Sequence, residues 1–369
     1  PAVPLPTMLA GTQRFRAEGT ADFMALVTEH AGRAPRAVEI DGNDIAFMVF
    51  TSGTTGDPKG AMNTHRNVVF ATSVYERWIG LTGADVILGL APLFHVTGLI
   101  GHVALTLLTG APLILFYRFD VAEACMLVEV YRATFTVSAV TAFIALLNSG
   151  EIDRRNLSSL KKVYTGGAPT PTVVLDDWHS RTGVRIQPMY GLTEATSPTH
   201  MTPHGAIPPI DPHTGAMSIG VPVFNTHVKV IAENGAECGP REIGEFVIAG
   251  PQIVPGYWQN AAATAKSLSP DGLRTGDVGF MDENGWFYLV DRSKDMIVAS
   301  GFKVWPREVE EVLYEHPAVR EAAVVGVPDA YRGETIKAVI SLKPGATVTP
   351  DEIRAFARER MAEIGRAHV

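Results

Sequence analysis

The stretch FTSGTTGDPKG, residues 50–60, packs hydroxyls, glycines and one lysine into a single short run. That composition suits anion binding. Glycine permits positive φ and lets backbone N–H groups approach an anion closely. The hydroxyls of Thr51, Ser52, Thr54 and Thr55 can donate to phosphate oxygens, and Lys59 adds a point charge. The spacing is not that of the Walker A loop, because Gly53 and Gly56 stand too close together. A plain Ser/Thr/Gly surface turn has the same composition. The setting favours a phosphate site: an apolar run precedes the loop and a helical pattern follows it, which is where α/β folds place phosphates.

Those residues need elements to position them. Residues 45–50, IAFMVF, read as a buried strand feeding the loop, and residues 66–79 as the helix after it. Buried strands then alternate with helices. Strands are expected at 86–90, 112–116, 135–137, 163–165 and 185–189, and helices from about 98, near 121–131, up to 147 and near 173–181. A further helical spacing lies at 20–32, where Phe23, Leu26 and Val27 share one stripe. The alternation predicts an α/β fold with a doubly wound, mostly parallel sheet. From residue 220 the texture changes to short strands between Gly/Asn/Asp turns, at 228–231, 244–250 and 285–290, which predicts a small β subdomain. After Asp291 a third texture appears: helix 304–313, strands 319–327 and 335–342, helix 351–361. It predicts a small α+β C-terminal domain. The expected organisation is a large domain over 1–290, with the β subdomain at about 220–290, a hinge at 291–295, and a small domain over 296–363.

Composition excludes several function classes. Lys+Arg number 31 against 39 Asp+Glu, a net charge of −8, and no basic stripe for nucleic acid appears. Cys125 and Cys238 lie far apart without metal-type spacing and read as reduced core thiols. The nearest approach to a spanning segment, residues 99–116, is broken by His102, Gly110 and Pro112. A cytoplasmic protein is expected, with peripheral membrane contact and homo-oligomers left open.

The loop resembles the phosphate loop of the adenylate-forming (AMP-binding) superfamily, which includes acyl-CoA synthetases, amino-acid adenylation domains and beetle luciferases. The resemblance continues in order over nearly the whole chain: APLFHVTG at 91–98, YTGGAPT at 164–170, MYGLTEA at 189–195, GLRTGDVG at 272–279 and DRSKDMIVASGFKVWPREVE at 291–310. Within the superfamily, VDRSKDMIVASGFKVWPREVEEVL and YRGETIKA are most similar to bacterial long- and medium-chain fatty-acyl-CoA synthetases.

The resemblance implies that ATP activates a fatty acid to acyl-AMP with release of pyrophosphate, and that coenzyme A then takes the acyl group. It implies Thr51, Ser52, Gly53, Thr54, Thr55, Gly56 and Lys59 at the outer phosphates, Thr193 at the α-phosphate and Glu194 as the Mg²⁺ ligand. Tyr190 would meet adenine, with Gly167, Ala168 and Pro169 as the opposite wall, and Gly191 would stand with the nucleotide-binding residues and beside the acyl pocket. Asp277 would accept the ribose hydroxyls and Arg292 would make a second ribose contact. His95, Gly98, Met189 and Leu192 would line the acyl site. A lone histidine such as His95 is more often structural; the family analogue gates the thiol. The absence of an acid in LFHVTG fits an apolar acyl group better than an amino acid. Lys294 would be the hinge about which the small domain turns, bringing Ser300, Gly301, Phe302 and Lys303 to the coenzyme A tunnel.

The resemblance stops at both ends. The family's N-terminal part and its C-terminal adenylation lysine, set in a PxxxxGK-type motif, find no match, so the chain reads as a fragment. Residues 364–369, IGRAHV, are expected to be a non-native tail, because one frame of a common sequencing adapter translates so. The chain as given is expected to adenylate poorly, since one preorganised electrostatic contact is worth roughly 3–4 kcal/mol of barrier. Two alternatives stand beside the synthetase: a fatty-acyl-AMP ligase or adenylation domain that loads a carrier protein, and a non-catalytic nucleotide-binding regulator.

Overall fold

The computed structural model describes residues 23–34, 37–51, 58–168, 170–292, 295–299, 302–329 and 333–361. Residues 1–41 form one unit, which contains the helix Phe23–Glu29, and residues 42–369 form a second. No helix among the described residues is long and apolar enough to cross a membrane.

In the second unit a seven-stranded sheet runs in the order 113–114, 87–88, 135–138, 162–165, 186–192, 197–201, 221–222. The first five strands are parallel; the last two pairings are antiparallel. Parallel strands are covered on both faces, so their residues are buried on both sides. The two faces sort accordingly. Leu88, Val163 and Ile186 pack with the helices Val121–Tyr131, Val140–Ser149 and Thr172–Thr182, where Trp178 meets Phe143 edge-on at 5.4 Å. Ile87, Phe135, Val137 and Tyr164 pack with the helix His65–Ile79 and with Ile100 and Leu105 on the other face. The doubly wound, mostly parallel α/β sheet is therefore present.

Beyond this sheet lie two larger antiparallel sheets. One joins strands 227–231, 244–249, 272–281, 268–269 and 287–292 around Phe246 and Phe287. The other joins strands 302–304, 297–299, 333–342 and 319–329 and packs on the helices Pro306–Tyr314 and Pro350–Arg360 through Val309, Leu313, Ile353 and Ala357. Arg307 is buried where they meet: its guanidinium donates to the Leu289 carbonyl at 2.5 Å, and its backbone N–H donates to Asp291 Oδ2 at 3.1 Å.

The structure departs from the expectations around the opening loop. Residues 45–51 do not enter the parallel sheet. They pair antiparallel with 59–64, and Thr51 lies opposite Lys59. Nor is the strand buried on both faces: Ile45, Met48 and Phe50 are 39%, 41% and 64% exposed, while Val49 and Phe47 pack into the core beside the helix His65–Ile79. Strand 45–51 is thus one arm of an antiparallel pair and is not followed directly by a helix. The helix comes one strand later, capped by Thr64, whose hydroxyl accepts from Asn67 N–H while Asn67 Oδ1 accepts from Thr64 N–H. Of the two thiols, Cys125 is buried and Cys238 only half-buried.

Candidate functional site

A cleft of about 1430 Å³ opens at the C-terminal ends of the parallel strands, the place where such sheets bind ligands. Strand 162–165 ends in Gly166, Gly167 and Ala168, and strand 186–192 brings Met189, Tyr190, Gly191 and Leu192. A short 3₁₀ turn follows and carries Thr193 and Glu194. Thr51 and Lys59 reach the cleft from the hairpin, His95 from the loop before residue 96, and Asp277 from strand 272–281.

Tyr190 and Asp277 are both buried, and the Tyr190 hydroxyl donates to Asp277 Oδ2 at 2.6 Å. An aromatic face beside a buried carboxylate can take a flat base and a diol. Gly167 adopts φ of 81° with open space beyond it, leaving a wall without side chains. At Gly166 an added Cβ would come within 2.8 Å of the Met189 carbonyl, so glycine there lets the two strand ends approach.

The turn after Leu192 is tightly held. Thr196 and Ser197 adopt φ of 50° and 92°, conformations that non-glycine residues rarely take. Asn63 Nδ2 donates to Thr196 Oγ1 at 2.9 Å and to the Thr193 carbonyl at 3.3 Å, and the fully buried Tyr75 hydroxyl meets Ser197 Oγ at 2.9 Å. Glu194 Oε1 accepts a 2.6 Å hydrogen bond from the Tyr257 hydroxyl. The Lys59 ammonium stands 4.8 Å from the centre of the same ring. Burial, then the neighbouring carboxylate, pushes the Tyr257 phenol up, so it stays protonated and donates. The sequence reading missed Tyr257. Its only signal was the PGYW run at 255–258, a Pro-Gly turn followed by two aromatics.

His95 caps the turn that begins at residue 96, its Nδ1 accepting from Thr97 N–H at 3.2 Å, and it lines the cleft. Gly98 does not line it. An added Cβ there would sit 2.2 Å from the Pro92 carbonyl oxygen, so its glycine answers to packing. Ser52, Gly53, Thr54, Thr55, Gly56, Pro169, Lys294, Ser300 and Gly301 lie outside the described residues, as do the side chains of Arg292, Phe302 and Lys303.

Two buried histidines support the cleft from behind, and the sequence reading gave them no role. His102 Nε2 accepts from Ala91 N–H at 3.1 Å, tying down the segment that leads to His95. His200 lies opposite Tyr190 in the strand pair, 5.5 Å from its ring centre, and 4.7 Å from that of Phe287. Burial lowers their pKa values to about 4 and about 3. Above the ordinary histidine value of about 6.5 neither folded nor unfolded chain carries the extra proton. Below it the unfolded chain binds a proton and the folded chain does not, so stability declines as pH falls through that window. Each histidine should remove about 2 kcal/mol between about pH 7 and about pH 5. Urea unfolding of His200→Asn should show that loss reduced by about 2 kcal/mol; an unchanged pH slope contradicts the assignment.

Among the described residues no group of three or more His, Cys, Asp and Glu side chains could hold a metal ion alone. The donor chemistry suits Mg²⁺ with a phosphate ligand: one carboxylate, Glu194, whose Oε1 is taken by Tyr257 and whose Oε2 accepts no hydrogen bond from any described residue.

Comparison with known proteins agrees in kind. The family model described as AMP-binding enzyme matches residues 5–258, and that for the AMP-binding enzyme C-terminal domain matches 308–368. A long-chain-fatty-acid–CoA ligase of Bacillus subtilis is 41% identical over 323 residues, covering 87% of this chain and 57% of its own length. The chain therefore spans little more than half of that relative. Among solved structures, the anthranilate CoA ligase AuaEII in complex with anthranoyl-AMP superposes with a TM-score of 0.83 at 29% identity, covering 90% of this chain and 64% of that one. The o-succinylbenzoate coenzyme A synthetase MenE of Bacillus subtilis, in complex with ATP and magnesium ion, gives 0.79 at 30% identity, covering 91% and 69%.

Proposed function

The chain belongs to the AMP-binding enzyme family, and from that premise we propose that it comes from an ATP-dependent fatty-acid–coenzyme A ligase. The observation that carries this reading is the convergence of Tyr190, Asp277, Thr193, Glu194 and Lys59 on one cleft. Adenine lies against Tyr190 beside the Gly167–Ala168 backbone, the ribose diol donates to Asp277, and Thr193 binds the α-phosphate. Lys59 offsets the outer phosphate charge, and Glu194 would hold Mg²⁺, which would supply further charge neutralisation. A carboxylate oxygen of the fatty acid attacks the α-phosphorus, the bridging P–O bond breaks and pyrophosphate leaves. The sulfur of the coenzyme A thiolate then attacks the acyl carbonyl carbon, the C–O bond to phosphate breaks and AMP departs. The protein contributes positioning and fixed charge; no covalent intermediate with a side chain is required.

The fatty acyl group is inferred from the Bacillus relative and from the apolar surroundings of His95, where Phe94, Val96 and Met189 line the cleft. Synthetic acyl-adenylates incubated with the chain and coenzyme A test the thioester step directly. Long-chain acyl-adenylate should yield acyl-CoA and AMP. Thioester formed only on a phosphopantetheinylated carrier protein would replace the reading with a carrier-loading domain, and none on either acceptor would remove it.

A further inference from the structure

We propose that Tyr257 is a positioning residue: its hydroxyl orients the Glu194 carboxylate toward the nucleotide-bound Mg²⁺ while its ring seats the Lys59 ammonium. The inference rests on the nucleotide reading of the preceding subsection. One side chain here touches both the carboxylate assigned to the metal and the cation assigned to the phosphates. Its hydrogen bond occupies Oε1 of Glu194, which leaves Oε2 without a protein partner among the described residues. Outer groups of this kind fix a ligand's direction and raise metal affinity.

Tyr257 can do this because its backbone is held on every side. Trp258 N–H donates to the Gly60 carbonyl at 2.8 Å and Met62 N–H to that of Gly256 at 3.1 Å, so 256–258 lies along the hairpin strand that bears Lys59. Tyr257 N–H donates to Thr264 Oγ1 at 3.0 Å. Val254 N–H donates to the Glu194 carbonyl at 2.9 Å, joining the segment to the acidic turn as well. Asn67 Nδ2, from the capped helix start, anchors the Pro251 and Ile253 carbonyls at 2.7 and 3.0 Å. The ring is 6% exposed and packs with Ala61 and Val254. Gly256, at φ of 152°, has no room for a Cβ, which would come within 2.7 Å of Thr264 Cγ2. Nothing in this arrangement is needed to bind the base or the ribose, so metal and base should respond separately.

The experiment titrates the Tyr257→Phe chain with ATP in Mg²⁺, with ATP in EDTA and with AMP in EDTA, alongside the wild type. Loss of the hydroxyl should shrink the Mg²⁺-dependent tightening of ATP about tenfold. AMP affinity should hold within about twofold, because it does not pass through the metal. In a Glu194→Gln background the same substitution should change nothing further, since its effect acts through that carboxylate. A full Mg²⁺ response in Tyr257→Phe overturns the inference. So does an AMP affinity that falls in proportion, or a variant that fails to fold, since either makes the tyrosine structural only. A wild type that binds ATP equally with and without Mg²⁺ overturns it too. Failure of the wild type to bind ATP or AMP at all overturns the nucleotide reading itself, and is told apart because it appears before any substitution is made.

Discussion

Replacing Asp277 by alanine should weaken AMP binding about a hundredfold while leaving the chain folded. Two ribose hydroxyls donating to one carboxylate make charge-assisted hydrogen bonds worth about 1.5 kcal/mol each at the low end, and about 3 kcal/mol is a factor of roughly a hundred in Kd. Asp277 sits at 6% exposure: its carboxylate is held by the Tyr190 hydroxyl, and its backbone N–H donates to Thr275 Oγ1 at 3.0 Å. It is therefore aimed before the ligand arrives, and little ordering entropy opposes binding. Calorimetric titration with AMP, and thermal melting of both proteins, check it. An affinity within about threefold of wild type would remove the ribose from Asp277.

Gly191→Ala should cost about 3 kcal/mol of stability or more and abolish nucleotide binding with it. A Cβ at that position would lie 1.8 Å from the Ser197 carbonyl oxygen and 2.6 Å from its carbon, and both are backbone atoms that no rotamer change can move. The strand pair 186–192 and 197–201 would have to open. That movement displaces Tyr190 on one side and Thr193 and Glu194 on the other, and it acts on a turn already strained at Thr196 and Ser197. Tyr75 pins the turn from the core and denies it a cheap relaxation. Chemical denaturation and AMP titration should fail together. A stable Gly191→Ala chain with intact binding would show that the turn is slack.

The parallel core was readable because short strand-like runs rich in β-branched and aromatic residues alternate with helical spacing. Residues 135–138, FTVS, and 162–165, KVYT, are strands where strands were expected, although Thr136, Ser138 and Thr165 are buried polar residues, and the helix Val121–Tyr131 fell where expected, capped by Asp120, which accepts from Glu123 N–H. The hairpin was misread because an apolar run does not say whether its face is covered. IAFMVF looked like a central strand, yet its partner 59–64, KGAMNT, is poor strand material that takes that form through pairing and tertiary packing. Much of the cleft was legible through its motifs, and Thr51, Lys59, His95, Met189, Tyr190, Leu192, Thr193, Glu194 and Asp277 do line one space. Tyr257 and His200 were not, because what they touch is set by the fold. Tyr257 meets a carboxylate far away in sequence, and His200 works from behind the tyrosine it supports. Gly98 sat inside a motif and was read with it, while a Cβ there would meet the backbone of Pro92 and Ala91.

The most direct measurement is a crystal structure of the chain with a non-hydrolysable long-chain acyl-adenylate. The account predicts adenine on Tyr190, the ribose diol on Asp277, the phosphate-equivalent group at Thr193 and the acyl chain running past His95. An adenylate bound elsewhere, or in this cleft with its ribose turned away from Asp277, would contradict it.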